Sequence, residues 1–131
     1  MVKNAKFEFT GETKVDSGVT LHRIRAVAAI TSTGVAVGDL GGWIEKESNL
    51  SISGDAWVYS NAQVYGDAQV YGDAWVSGNA QVSGDAWVSG NARVSGNARV
   101  YDNAWVYGDA WVCGDAWVYG NARVYDNARV Y

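Results

Sequence analysis

Gly66-Asp67-Ala68-Gln69-Val70-Tyr71-Gly72-Asp73-Ala74-Trp75-Val76-Ser77 holds the same six-residue unit twice, and that unit decides the fold. From Gly54 to Tyr131 the chain is thirteen such hexapeptides without insertion, reading Gly-Asp/Asn-Ala-x-Val-Tyr/Ser. A fixed short period is the mark of a solenoid. The third slot is alanine in every copy, Ala56 to Ala128, and the fifth is valine in every copy, Val58 to Val130. Two residues apart on an extended chain, they point the same way, and the x residue between them points the opposite way. Each hexapeptide is therefore a short strand with Ala and Val inward and x outward. A small and a branched side chain fill a slim core at close-packed density.

The Gly-Asp/Asn pair marks the corner between strands. Ser60, Asp102 and Asp126 replace the glycine, and each is followed by asparagine: Asn61, Asn103 and Asn127. Glycine and asparagine accept left-handed backbone angles, so the corner is expected to need a positive φ, at the Asp/Asn slot of the pair.

Val-Tyr-Gly-Asp-Ala-Trp resembles the hexapeptide of left-handed parallel β-helix proteins. The resemblance implies an all-β, left-handed triangular parallel β-helix with about 18 residues per coil, an exception to the right-handed crossover rule. Residues 18 apart then stack into outward columns. One runs Trp57, Trp75, Arg93, Trp111, Arg129; the second runs Gln63, Gln81, Arg99, Trp117; the third runs Gln69, Trp87, Trp105, Arg123. Arginine beside tryptophan stacks on the ring, and Arg93 is expected between two of them. These residues read first as ladders that stabilise a thin solenoid. As an interaction surface, Trp57, Trp75, Trp87, Trp105, Trp111, Trp117, Arg93 and Arg123 would face a carbohydrate or a protein partner. The aromatics are spread over all three faces, and the tyrosine slot turns to serine at Ser77, Ser83, Ser89 and Ser95.

Little in the repeats suits catalysis. Many relatives of this fold are acyltransferases, whose chemistry resembles a histidine base in a cleft between subunits. The single histidine, His22, lies outside the repeats, which hold no lysine or glutamate either. A general base must reach its proton, so no catalytic residue is assigned and an acyltransferase is the least favoured reading. The three-histidine zinc site found on the same fold has no ligands here. Calcium bridging Asp55 to Asp73, or Asp67 to Asp85, is weighed and set below ordinary solvated corners. No cofactor and no metal are expected. Cys113 occupies a tyrosine/serine slot and is expected to face outward, without an intramolecular disulfide partner. Net charge is −4, which disfavours nucleic acid. No apolar run approaches a membrane span, and Met1-Val2-Lys3-Asn4 lacks a secretion signal. The expectation is a cytoplasmic protein, with association with a virion as an alternative setting.

Residues 1–50 lack the repeat and form a second unit, a β-rich cap ahead of the solenoid at 51–131. Phe7 to Thr10 and Thr20 to Ile30 read as strands with Gly11 and Asp16-Ser17-Gly18 as turns, Val35-Ala36-Val37 and Trp43-Ile44 as shorter strands, and Asp39-Leu40-Gly41-Gly42 as a tight turn. His22 reads as an outward strand residue, Glu45 and Glu47 as solvated charges. A solenoid's first coil exposes strand edges that need cover. Phe7-Glu8-Phe9-Thr10-Gly11-Glu12-Thr13, Thr20 to Ala26 and Gly38-Asp39-Leu40-Gly41-Gly42-Trp43-Ile44-Glu45 resemble the head of uncharacterised bacterial and phage-associated hexapeptide-repeat proteins. That resemblance implies the same cap-plus-solenoid layout and no activity. The repeats run on to Val130-Tyr131 with no capping sequence, and solenoids usually protect their ends. The expected cover is a second copy meeting end to end about a two-fold axis through Arg123, Tyr125, Arg129, Val130 and Tyr131. A non-catalytic structural or assembly scaffold is thus the leading reading of function, and a binding module the second.

Overall fold

The computed structural model describes residues 3–131. Strands β1 (Phe7–Asp16), β2 (Val19–Ala26) and β3 (Leu40–Ile44) precede thirteen two-residue strands, one per hexapeptide, from β4 (Trp57–Val58) to β16 (Arg129–Val130). The thirteen fall into three sheets, so the coil is three-faced, and strands 18 residues apart are parallel neighbours: Trp75 beside Arg93, Gln81 beside Arg99, Trp87 beside Trp105. The result is an all-β parallel solenoid of about five turns at about 18 residues per turn. From Ala56 to Val112 every alanine and valine of the repeat is buried, so the inward pair forms one continuous core. Among the described residues no helix is long and apolar enough to cross a membrane.

Each hexapeptide sends three backbone N–H groups to the next coil. In the circuit above Gln81, for example, Gln81 donates to the Ala98 carbonyl (3.0 Å), Ser83 to Val100 (2.9 Å) and Asp85 to Asp102 (2.8 Å). The corner closes with a tight turn, as where Ala80 N–H donates to the Ser77 carbonyl at 3.2 Å. The positive φ sits one residue earlier than expected, at the glycine slot rather than at Asp/Asn: 65° at Gly78, 54° at Ser60, 60° at Asp102 and 54° at Asp126. It is the first of the two central residues of the turn, and only that one, which takes the left-handed angle; this is the pattern of a type II′ turn. Aspartate tolerates that region better than most side chains, and Asp102 gains a partner, its Oδ2 accepting the Gly120 N–H at 3.2 Å. Nothing in the structure explains why asparagine follows each non-glycine residue.

Glycine serves a second purpose at these corners. A Cβ at Gly90 would lie 2.9 Å from the backbone nitrogen of Gly108, whereas at Gly120, with the same φ of 64°, nothing lies within 4 Å.

The N-terminal segment is woven into the solenoid. β1 and β2 form an antiparallel hairpin, β3 pairs antiparallel with β2, and its Trp43 and Ile44 pair in parallel with Gln63 and Val64. A seven-stranded sheet therefore runs from the cap down one face of the coil. Four expectations change. β1 runs through Gly11 to Asp16 instead of turning after Thr10, and Gly11 takes a positive φ of 95° where the pairing register shifts between Phe9 and Thr13. β2 ends at Ala26, so the strand does not reach Ile30, and Val35 makes only a single bridge, to Ile30. Gly41 and Gly42 lie within β3, not in a turn. Their lack of a side chain is a packing need: a Cβ on Gly41 would meet Ile24 Cγ1 at 2.7 Å and Trp57 Cζ2 at 2.8 Å, and one on Gly42 would meet the Ala62 carbonyl at 2.6 Å. The turn lies just before, where Asp39 N–H donates to the Ala36 carbonyl and Asp39 Oδ2 accepts the Ala36 N–H.

The lower edge of the first regular coil presents carbonyls, and the cap supplies donors for them. Trp43 N–H reaches the Ala62 carbonyl (2.9 Å), Glu45 N–H that of Val64 (3.1 Å) and Ser51 N–H that of Val70 (2.9 Å). At the corner between, a side chain takes over. Fully buried Asn49 donates from Nδ2 to the carbonyls of Gly66 (3.2 Å) and Ala68 (2.9 Å) while its Oδ1 accepts from Glu45 and Lys46 N–H. Lys46 Nζ adds an ion pair to Asp67 at 2.7 Å, and that carboxylate raises the Lys46 ammonium above its usual range. Lys6, buried in the same junction, donates to the Ser51 carbonyl at 2.9 Å. Burial pushes its ammonium down to about 8, partly offset by Asp55 and Asp73.

Two outcomes follow. Gly120→Ala should cost about 1–2 kcal/mol for the left-handed angle alone, and Gly90→Ala should cost about 1–3 kcal/mol more for the clash; equal urea midpoints would refute the stacking argument. Asn49→Asp, although isosteric, swaps two donors for a charge facing two carbonyls. It should lower stability by about 2–4 kcal/mol in thermal or chemical unfolding.

Candidate functional site

The outward columns of the solenoid are built as the repeat dictates. On the first, the Arg93 guanidinium lies 4.4 Å from the Trp75 ring centre and 5.4 Å from that of Trp111, and Arg129 lies 4.8 Å from Trp111 on its other side. On the third, Trp87 and Trp105 stack at 4.8 Å with 4° between planes, and Arg123 closes over Trp105 at 4.6 Å. On the second, Gln63 and Gln81 are followed by Arg99, 5.5 Å from the Trp117 ring. The tyrosine corners behave likewise where neighbours are both tyrosine: Tyr101 on Tyr119 at 5.2 Å, Tyr107 on Tyr125 at 5.4 Å. Flat groups stacked along the axis face one another, so much of the aromatic surface is ring edge rather than ring face.

The expected interaction residues do not share one environment. Trp57 is a correction: it is only 1% exposed, because β3 and the strand-forming Gly41 lie directly against its ring. Trp75 and Trp105 are half-buried, while Trp87, Trp111, Trp117, Arg93 and Arg123 are exposed. Gln63 is also buried, its Nε2 donating to Asp16 of the cap at 3.1 Å. In the last coil Arg123, Tyr125, Arg129 and Tyr131 are exposed and Val130 is half-buried.

The remaining titratable groups are scattered. His22 stacks flat on Phe9, 4.4 Å between centroids. Glu45 is more than a solvated charge, since its Oε1 accepts the Gly66 N–H at 2.8 Å; Glu47 is exposed and accepts from Asn4 at 3.4 Å. Asp55 takes a hydrogen bond from Ser32 (2.8 Å), and its own N–H donates to Asp73 Oδ1 at 3.2 Å. Further along, the corners form side-chain ladders in which Asn79 donates to Asn97 and Asn97 to Asp115. Burial raises the Tyr59 phenol above its usual range. Among the described residues no group of three or more His, Cys, Asp or Glu is placed to hold a metal ion. Cys113 is a half-buried free thiol.

Sequence reading passed over the gaps between rings. Four successive tyrosine slots are serine, Ser77, Ser83, Ser89 and Ser95, enough to go once around the coil and return above the first, and the missing rings leave hollows. One of about 290 Å³ is lined by Tyr71, Trp87, Ser89, Trp105 and Tyr107. A second, of about 300 Å³, opens around Ser83. The run of serines was the available signal; its meaning depends on which rings stand above and below.

A family model described as the YdcK beta solenoid repeat matches residues 62–78, 68–84, 80–96, 86–100, 92–108, 98–114 and 116–131, together more than half of the chain. Every matched segment begins on an alanine slot. No curated protein matches the chain.

Arg93→Ala should lower stability by about 1–2 kcal/mol, from two cation–π contacts of roughly 0.5–1 kcal/mol each. Arg93→Lys should recover part of that loss, as judged from urea unfolding. No change in either variant would make the column decorative.

Proposed function

Because the chain belongs to the YdcK beta solenoid repeat family, we propose that it is a non-catalytic structural scaffold that assembles with copies of itself. The observation that carries this reading is the use of the surface groups on one another. Arginine planes and tryptophan faces are engaged along the columns, as with Arg93 between Trp75 and Trp111. Such pairing stabilises a thin rod and leaves fewer ring faces for a ligand. Among the described residues, Lys6, Lys46 and Tyr59, whose proton affinity is displaced, sit where the cap meets the solenoid. They favour a role in holding the two parts together.

Self-association through the coil of residues 115–131 is part of the proposal. Ala122 and Ala128 are exposed there, although the same slot is buried in every earlier repeat. We further read the coils as those of the left-handed hexapeptide-repeat class, on the spacing of the alanine and valine slots, and the setting as cytoplasmic.

Light scattering over a concentration series tests the assembly. The 131-residue chain should shift from monomer to dimer as concentration rises, and Val130→Lys should hold it monomeric with an unchanged circular dichroism spectrum. A strict monomer at high concentration overturns the proposal.

A further inference from the structure

We propose that the hollow between Tyr65 and Tyr101 is a binding site for a single pyranose ring. The inference goes beyond the scaffold reading and does not depend on it. Tyr65, Ser83, Tyr101 and Tyr119 share one corner, each 18 residues from the next. Where two tyrosines follow one another at that corner their rings stack, Tyr101 on Tyr119 at 5.2 Å and 8°. Ser83 removes one ring from this series. Two coils at about 4.8 Å each then separate Tyr65 from Tyr101 by roughly 10 Å, the space for one ring with a tyrosine on either side. Both aromatic partners of Tyr101, Tyr119 and Trp117, belong to the following coil, so its side toward Ser83 carries no aromatic neighbour.

The walls give the ligand its chemistry. The hollow is about 300 Å³, with Gln81, Ser83, Arg99 and Asp102 between the two rings. Gln81 Oε1 accepts from the Tyr65 hydroxyl at 3.5 Å, which leaves its amide N–H₂ to donate. Among the described residues the ion pairs are Arg25–Glu8 and Lys46–Asp67, so the Arg99 guanidinium, resting on Trp117, keeps its N–H donors for another acceptor. Asp102 spends Oδ2 on the Gly120 N–H and keeps Oδ1. Donors and acceptors thus converge around a gap bounded by aromatic rings. A pyranose matches that arrangement: apolar C–H groups on its faces, hydroxyls around its rim. The hollow at Ser89 has the same missing ring but tryptophan walls and no amide, guanidinium or carboxylate in its lining, which makes it a built-in control.

Saturation-transfer-difference NMR on the full chain, with free glucose, galactose, mannose, N-acetylglucosamine and glucuronic acid as probes, tests the site. At least one sugar should show saturation on its ring C–H protons. Ser83→Tyr, which restores the residue most repeats carry in that slot, should abolish the signal, and Ser89→Tyr should leave it unchanged. Asp102→Gly returns the corner to the repeat's own glycine while removing a wall carboxylate, and should weaken the signal several-fold. Saturation of no sugar, signal that survives Ser83→Tyr, or binding of phenol or indole where no sugar binds would each overturn the proposal. The last outcome would assign the slot to an aromatic side chain.

Discussion

The structure depends on the backbone hydrogen bonds that tie each coil to the next. Three N–H groups per hexapeptide reach carbonyls in the coil 18 residues later, at distances close to 3 Å. The series holds only if successive corners come almost into backbone contact, and that closeness crowds a Cβ at most of the glycine corners. The left-handed angle at the glycine slot, the alanine-valine core and the outward columns all follow from keeping each coil in step with the last. An unpaired buried backbone group is costly, so a slip of register at one corner would be felt in the whole circuit.

The two ends of the stack are unlike. Below the first regular coil the need is for donors, and the cap provides them partly from its backbone and partly from the amide of Asn49. Charge follows the same logic. The two places where aspartate stands beside aspartate along a corner, Asp55 with Asp73 and Asp67 with Asp85, lie at the capped end. Lys46 pairs with Asp67 there, and Lys6 lies within the field of Asp55 and Asp73. Cap and solenoid are therefore matched both in hydrogen bonding and in sign of charge.

How much of this was legible in the sequence varied with how often a feature repeats. Thirteen copies made the inward alanine and valine, the strand spacing and the stacked columns readable, down to Arg93 between its two tryptophans. The corner was read one residue off, because glycine's freedom and asparagine's tolerance of the same angle look alike on paper. The cap was read less well. Gly41 and Gly42 resemble turn residues in one dimension, and only the approach of Trp57 and Ala62 shows why a strand needs them bare. Trp57 obeys the outward rule of its slot and is still buried, since a separate segment covers that face. A local pattern cannot report what a distant stretch of chain will lay over it. The hollow at Ser83 escaped for the same reason in reverse: its walls come from four coils.

The two periods of the molecule, six along the chain and eighteen around it, set how such a rod can change length. Loss or gain of one hexapeptide would go unnoticed by the alanine-valine interior, since every face offers that interior the same two residues. Outside, it would rotate everything beyond the change by a third of a circuit. Arginines would lose their tryptophans, and stacked tyrosines would land over serines. Only whole circuits conserve the phase of the exterior, so lengthening or shortening by eighteen residues is the step this architecture can accommodate without rewriting its surface.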